Sequence, residues 1–291
     1  MTAAFGCGIQ AGPRSRHAFR LPCGAHQTAS SSMAFFSRSR QDQYPPTPAA
    51  WRAIIARHVP YARRLTSPQR AELERLVHRF VEDKHFEGCG GLRLHDVHRV
   101  TIAAHAGLLM LGGNTDGFPR LRTILVYPDE YVIDEPRDLG GGIVSEGPEW
   151  HAGHTQSNLA AMVVSWRDAL AGIADPEDGD NVLFHELAHQ LDFEDGEDNG
   201  VPRHADSAAA RRFAAVAGRE YARLCDDVRD GRETLLDPYG AEDRVEFFAV
   251  ATEAFFELPD ALRSAHPELY AVLAAYYRQD PAGGHQGSGS R

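Results

Sequence analysis

Two histidines and a glutamate in the segment His185-Glu186-Leu187-Ala188-His189 have the spacing of a metal site. Helix residues four apart lie on one face, so both imidazoles can bind one zinc ion while Glu186 points toward a water molecule. This arrangement predicts metal-dependent hydrolysis. A surface helix with ordinary polar residues is the alternative, but the surrounding positions are apolar, and buried unpaired His and Glu would be costly. The apolar neighbours are Val182, Leu183, Phe184, Leu187, Ala188 and Leu191.

A zinc hydrolase normally needs a third protein ligand, and the two familiar positions for it carry none. A histidine six residues after His189 would fall at Asp195, and a glutamate further on would fall in Ser207-Ala208-Ala209. Glu246 is the better candidate, because its segment is strongly apolar and a second carboxylate, Glu253, follows on the same side of the helix. Taken alone, however, Glu246 favours a capping box in which Asp243 is the helix cap.

Three segments together resemble the Mlc titration factor A (MtfA) family of zinc peptidases. They are His185-Glu186-Leu187-Ala188-His189-Gln190-Leu191-Asp192, Leu236-Asp237-Pro238-Tyr239-Gly240-Ala241 and Glu246-Phe247-Phe248-Ala249-Val250. Their order and spacing are far more specific than the first segment alone. The resemblance covers roughly residues 33–278 and implies a catalytic core similar to that of anthrax lethal factor.

The resemblance also implies a role for individual residues. Zinc, one Zn²⁺ per chain, would be bound by His185, His189 and Glu246. Glu186 would be the general base that takes a proton from the zinc-activated water and passes it to the departing amine. Tyr239 would face the substrate and donate to the oxyanion. Without the family, Tyr239 is equally well interpreted as an aromatic that packs in the turn after Pro238.

Further polar residues could support this site. Asp192 and Glu253 each lie where a carboxylate could accept the second ring hydrogen of a ligand histidine, and direct ligation by Asp192 is the weaker alternative. His151 and His154 are interpreted as loop residues beside the cleft, with a second metal site as the alternative. His105 is interpreted as a core histidine with its hydrogen bonds satisfied.

The periodicity of apolar residues predicts mainly helices. The pattern becomes helical after Pro45-Pro46, and Ser67-Pro68 is typical of a cap and first turn. Asp178 to Asp180 supply caps for the helix that carries the histidines. Predicted helices are 67–81, 96–111, 181–193, 207–230, 243–257 and 267–278, and predicted strands are 123–127, 131–133 and 161–165.

These elements predict an α+β fold that is mostly helical: a zincin-like metalloprotease domain with a small mixed sheet beside the active-site helix. In such peptidases an edge strand pairs with the extended substrate, and the candidates are residues 161–165 or the segment near Gly142-Ile143-Val144. The alternative is that both strands are only part of the scaffold. The expected domain spans residues 41–280. Residues 1–40 are expected to be a disordered or mis-annotated extension, with Met33 as a possible natural start, and residues 281–291 a flexible tail.

Composition excludes several other classes of function. The net charge of −11 and the absence of a long Lys/Arg run argue against nucleic-acid binding. No apolar run approaches the roughly 20 residues of a membrane span. The four cysteines are widely scattered, which fits a reducing cytoplasm.

The sequence therefore predicts a cytosolic zinc-dependent peptidase whose substrate is a peptide or protein. The rival hypothesis is a non-catalytic, zinc-containing regulatory protein that sequesters a partner. The resemblance supplies that partner, because the family name reflects binding of a glucose-responsive transcriptional repressor. Glu186 favours catalysis, since a purely structural site needs no base.

Overall fold

The computed structural model describes residues 45–129, 131–132, 150–151, 153–156 and 160–285. The predicted N-terminal extension, the segment near Gly142 and the side chains of His151 and His154 lie outside the described part of the chain. Within the predicted flexible tail, Pro281–His285 forms a 3-10 helix. The buried backbone N–H of Ala282 donates to the Tyr270 hydroxyl there at 3.0 Å.

Helices make up most of the described residues, as predicted. Six of the helices lie at the predicted places, whereas the helices Trp166–Ala174 and Pro259–Ala265 were not predicted. Among the described residues, no helix is long and apolar enough to cross a membrane. The helices are α1 (Ala49–His58), α2 (Ser67–Asp83), α3 (Asp96–Met110), α4 (Trp166–Ala174), α5 (Val182–Asp192), α6 (Ser207–Arg229), α7 (Arg244–Glu257), α8 (Pro259–Ala265) and α9 (Pro267–Tyr277).

The strands form a four-stranded mixed sheet and a separate antiparallel pair. They are β1 (His85–Gly88), β2 (Thr123–Tyr127), β3 (Tyr131–Val132), β4 (Trp150–His151), β5 (Gly153–Gln156) and β6 (Ala161–Ser165). The main sheet has the order β1-β2-β6-β5, with β5 antiparallel to the other three. The fold is thus the predicted α+β class with a small mixed sheet.

One expectation about the sheet is wrong. Residues 161–165 are not an edge strand, because β6 pairs with β2 on one side and with β5 on the other. Its residues Met162 to Ser165 are all buried, which is typical of an interior strand. Within the described sheet the outer strands are β1 and β5, and β5 contacts α5.

The nearly all-apolar helix α3 lies at the centre of the core, as its composition predicts. It contacts α1, α2 and α5. Gly107 allows the close approach of α2, because a Cβ there would lie 2.6 Å from Cδ1 of Leu73. Helix α3 thereby supports the helix that carries the histidines.

Side-chain caps fix where α5 and α2 begin. Asn181 caps α5, accepting from the backbone N–H groups of Leu183 and Phe184 at 3.2 and 3.3 Å. The predicted cap at Asp178 to Asp180 is therefore wrong by one residue. The cap of α2 is likewise Thr66 rather than Ser67, since Thr66 and Gln69 form the capping box.

Helix α7 is capped by Asp243, whose Oδ1 accepts from the backbone N–H groups of Val245 and Glu246 at 2.7 and 3.0 Å. The helix packs against α5, where the rings of Phe184 and Phe256 stack at 4.9 Å between centroids. At the other end of α7, Gly200 lies so close to the start of the helix that a Cβ would be 2.1 Å from the carbonyl oxygen of Arg244.

Replacing Asp243 with alanine should lower the free energy of unfolding by about 1 kcal/mol, because two N–H groups of α7 lose their acceptor. Asp243→Asn, which keeps an acceptor, serves as the control and should stay close to wild type. Urea denaturation measures both variants. Equal stability of the alanine variant and the wild type would contradict the cap.

Candidate metal centre

Three side chains from α5 and α7 meet at one point. One ligand atom each from His185, His189 and Glu246 lies within 4.8 Å of the others. Oε2 of Glu246 lies 2.9 Å from Nε2 of His185 and 3.5 Å from Nε2 of His189. The side chains are only 11–18% exposed. The packing of two helices thus brings together residues about 60 positions apart in the chain.

The position of Glu246 bears on its two interpretations. Asp243 does cap α7, as the capping-box interpretation expects. The Glu246 carboxylate, however, lies against the two histidines of α5. The capping box therefore accounts for Asp243, and it leaves the direction of the Glu246 side chain unexplained.

Glu253 orients His185 from the other side of its ring. Oε1 of Glu253 lies 2.7 Å from Nδ1 of His185, and Oε2 accepts from the backbone N–H of Asn181. A carboxylate at Nδ1 favours the tautomer with the hydrogen there and leaves the Nε2 lone pair available. Nε2 is the nitrogen that faces Glu246.

The electrostatics of this cluster favour a cation. Burial would lower the pKa of His185, but the hydrogen bonds to Glu246 and Glu253 outweigh it and raise the pKa well above its usual value. Burial would raise the pKa of Glu246, but its hydrogen bonds with His185 and His189 hold it well below the usual range. Two imidazoles and a carboxylate, with a further carboxylate behind, fit the ligand set of zinc.

The two predicted catalytic residues border this cluster. Glu186, on α5 between the two histidines, is 2% exposed. Tyr239 lies on the 3-10 turn Pro238–Ala241 and is 46% exposed, with its ring centroid 5.9 Å from that of His185. Partial burial and the charges of Glu246 and Glu242 raise the pKa of Tyr239 to about 12. Its phenol therefore keeps a proton to donate at neutral pH.

Asp192 is directed toward the loop that follows α5. Its Oδ2 accepts from the backbone N–H groups of Asn199 and Gly200 at 3.0 and 2.8 Å. Burial raises the pKa of Asp192 to about 6. Of the two carboxylates expected to orient a histidine, the structure pairs Glu253 with one, and that role for Asp192 stays a prediction.

His105 is a buried core residue, as expected. Its Nδ1 lies 2.9 Å from the carbonyl oxygen of Thr101, one turn earlier in α3. Burial lowers its pKa to about 4, so the ring is neutral at physiological pH.

Two buried residues behind the cluster were missed by the sequence analysis. Nδ2 of Asn181 donates to Oε1 of Glu257 at 2.8 Å. Burial raises the pKa of Glu257 to about 8, and the charge of Glu253 adds to the effect. Two signals could have revealed them: an asparagine just before the apolar start of α5, and a carboxylate four residues after Glu253 on the same helix face.

Comparison with known proteins identifies the lineage. Residues 34–278 match the model of the family described as glucose-regulated metallo-peptidase M90. The chain belongs to this family. Its membership confirms the resemblance found in the motifs and the general class of metallopeptidase. A metallopeptidase requires a metal, for which the cluster of His185, His189 and Glu246 could supply the ligands.

Relatives of this M90 peptidase match over most of their length. The uncharacterized protein slr2042 of Synechocystis sp. is 37% identical over 244 residues, which cover 84% of this chain and 89% of that protein. Mlc titration factor A of Pectobacterium atrosepticum is 30% identical over 249 residues, covering 79% and 86%. Mlc titration factor A of Yersinia pestis is 30% identical over 251 residues, covering 80% and 85%.

The raised pKa of Glu257 predicts a pH effect on the stability of this M90 peptidase. The folded protein holds the proton more tightly than the unfolded chain, so stability should fall as the pH rises from about 4.5 to about 8. Glu257→Gln removes this ionisation and keeps an acceptor for Asn181. Chemical denaturation across this range should show that, as the pH rises, the free energy of unfolding of the variant increases relative to that of the wild type, by up to roughly 4 kcal/mol. If the stability of the two proteins depended on pH in the same way, the raised pKa of Glu257 would be contradicted.

The ligand set predicts about one zinc equivalent per chain. Glu246→Ala should weaken zinc binding by more than the roughly 10–100-fold typical of losing a partner that only orients a ligand. Glu242→Ala removes an exposed carboxylate four residues earlier in the chain and serves as the matched control. Competition with a chromogenic chelator measures both variants. Unaltered affinity in Glu246→Ala would leave Glu246 without a role at the metal.

Proposed function

We propose that this chain is a cytosolic zinc-dependent peptidase in which His185, His189 and Glu246 bind zinc. The observation that carries the proposal is the convergence of these three ligand atoms within 4.8 Å, with Glu186 on the same turn of α5. Membership of a metallopeptidase family supports it. The described cysteines Cys89 and Cys225 are free thiols, which supports a reducing compartment.

Glu186 is the proposed general base. When bound, zinc lowers the pKa of water and polarises the peptide carbonyl. The Glu186 carboxylate takes the proton of the attacking water and then delivers it to the departing amine.

Tyr239 and β5 are the proposed contacts to the substrate. Tyr239 keeps its proton at neutral pH and donates it in a hydrogen bond to the oxygen on which negative charge develops. The substrate backbone pairs with β5, the outer strand of the described sheet that contacts α5. The extended peptide would then run alongside the helix that carries Glu186.

Binding of a transcriptional repressor is a second candidate function. Two relatives at 30% identity are called Mlc titration factor A. We propose that this chain likewise binds a repressor of the Mlc type. In the alternative without catalysis, this binding would be the whole function and the zinc would only stabilise the fold.

Replacing Glu186 with glutamine tests its role as the general base. The variant should keep about one equivalent of zinc, and its rate of peptide hydrolysis should fall by about 10²–10⁴-fold, because the general base is gone. The measurement combines zinc content with cleavage of a peptide library, read by mass spectrometry. Glu233→Gln, with the same chemical change at an exposed site, should cleave normally.

Two outcomes would contradict the peptidase mechanism. Undiminished hydrolysis by Glu186→Gln would remove Glu186 from its role. A zinc-loaded wild type that cleaves no peptide but binds a repressor would support the non-catalytic alternative.

A further inference from the structure

A buried chain of hydrogen bonds leads from the end of α7 to the metal centre. Glu257 accepts from the side chain of Asn181, whose backbone N–H donates to Glu253. Glu253 in turn accepts from His185 at 2.7 Å. Asn181, Glu253 and Glu257 are only 3%, 4% and 6% exposed, so these polar groups depend on one another for their hydrogen bonds.

The side-chain amide of Asn181 can face the helix in two ways, and only one of them caps α5. Oδ1 accepts from two backbone N–H groups of α5, and Nδ2 donates to Oε1 of Glu257 at 2.8 Å. If the amide were reversed, Nδ2 would face the N–H groups and Oδ1 would face Glu257. The acceptor on Glu257 therefore selects the orientation that caps the helix.

The backbone of Asn181 is tied to the metal centre at two further points. Its N–H donates to Oε2 of Glu253, and its carbonyl oxygen accepts from the backbone N–H of His185 at 3.0 Å. With Oε2 held there, Oε1 of Glu253 is placed at Nδ1 of His185. Nε2 of the ring then faces the point shared with His189 and Glu246.

We propose that Glu257 is a positioning residue for the metal centre, which acts through Asn181 and Glu253 to hold the His185 ring in its metal-binding orientation. This inference rests on the proposed function in one respect, namely that His185 binds zinc. Glu257 itself touches neither the proposed ligands nor the substrate.

Charge around Glu257 agrees with a role as a hydrogen-bond acceptor. Burial raises its pKa, and Glu253 and Asp178 add to this effect. The neutral acid keeps a carbonyl oxygen for Asn181 and avoids a second buried negative charge beside Glu253. The titratable groups that line the same cavity as Glu257 are Tyr61, Arg63, Arg64, His105 and Glu177.

The test compares two substitutions of Glu257 in the full chain. Glu257→Met has a similar length and no acceptor, so the affinity for zinc should fall by about tenfold, the lower end of the range for partners of a ligand. Glu257→Gln retains the acceptor and should keep the wild-type affinity. Zinc affinity is measured by chelator competition under native conditions, which needs no substrate.

A matched control separates positioning from general loss of stability. Thr252, also buried on α7, shares a 2.9 Å hydrogen bond with the hydroxyl of Tyr277. Thr252→Val should lower stability and leave the affinity for zinc unchanged. If Glu257→Met alters the affinity no more than Thr252→Val does, or if Glu257→Gln loses as much as Glu257→Met, the proposal is overturned.

A second route covers the case in which Glu257→Met does not fold. Asn181→Ser keeps a helix cap and the backbone N–H but loses the donor to Glu257. Its zinc affinity should also fall by about tenfold, and unchanged affinity would contradict the proposal. A wild type that binds no zinc would instead overturn the proposed function, so the two failures are distinguishable.

Discussion

The packing of α7 against α5 is the constraint on which the rest of the site depends. Helix α5 carries His185 and His189, and α7 carries Glu246 and Glu253. The stacked rings of Phe184 and Phe256 belong to this contact. The carboxylates of Glu246 and Glu253 are stabilised in this interface by hydrogen bonds with the imidazole of His185. Apolar burial thus sets the distance between the helices, and the polar pairs set their register.

The surrounding elements hold this contact in place. Asn181 and Asp243 cap the two helices, so His185 and Glu246 lie about one turn from a fixed helix start, and His189 follows one turn after His185. Asp192 holds the loop after α5, and Gly200 in that loop lies directly against the start of α7. The sheet covers another side of α5 through β5 and β6. Side chains held on helices in this way are positioned more rigidly than side chains on loops.

Local patterns in the sequence predicted the parts of the site that depend on one helix. Helix α5 was predicted from the spacing of His185 and His189 and from the apolar residues around them. The sequence also predicted Asp243 as a helix cap. Glu246 was ambiguous, because its local signal is that of a capping box and its partners lie about 60 residues away. The apolar segment and the second carboxylate, Glu253, favoured it as a ligand, and the family resemblance implied the same role.

Long-range pairing explains most of what the sequence could not predict. Residues 161–165 read as a strand, but only the pairing with both β2 and β5 shows that this strand is interior. The strand β1 has only four residues and was missed. The hydrogen bond between Asn181 and Glu257 joins residues 76 positions apart.

We propose that the contact between α5 and α7 builds a metal centre that hydrolyses peptides. Cleavage of a peptide library by the wild-type chain is measured before chelation, after chelation and again after zinc is restored. Cleavage is expected to stop on chelation and to return with zinc. If cleavage continues unchanged in the presence of the chelator, the metal centre has no part in it.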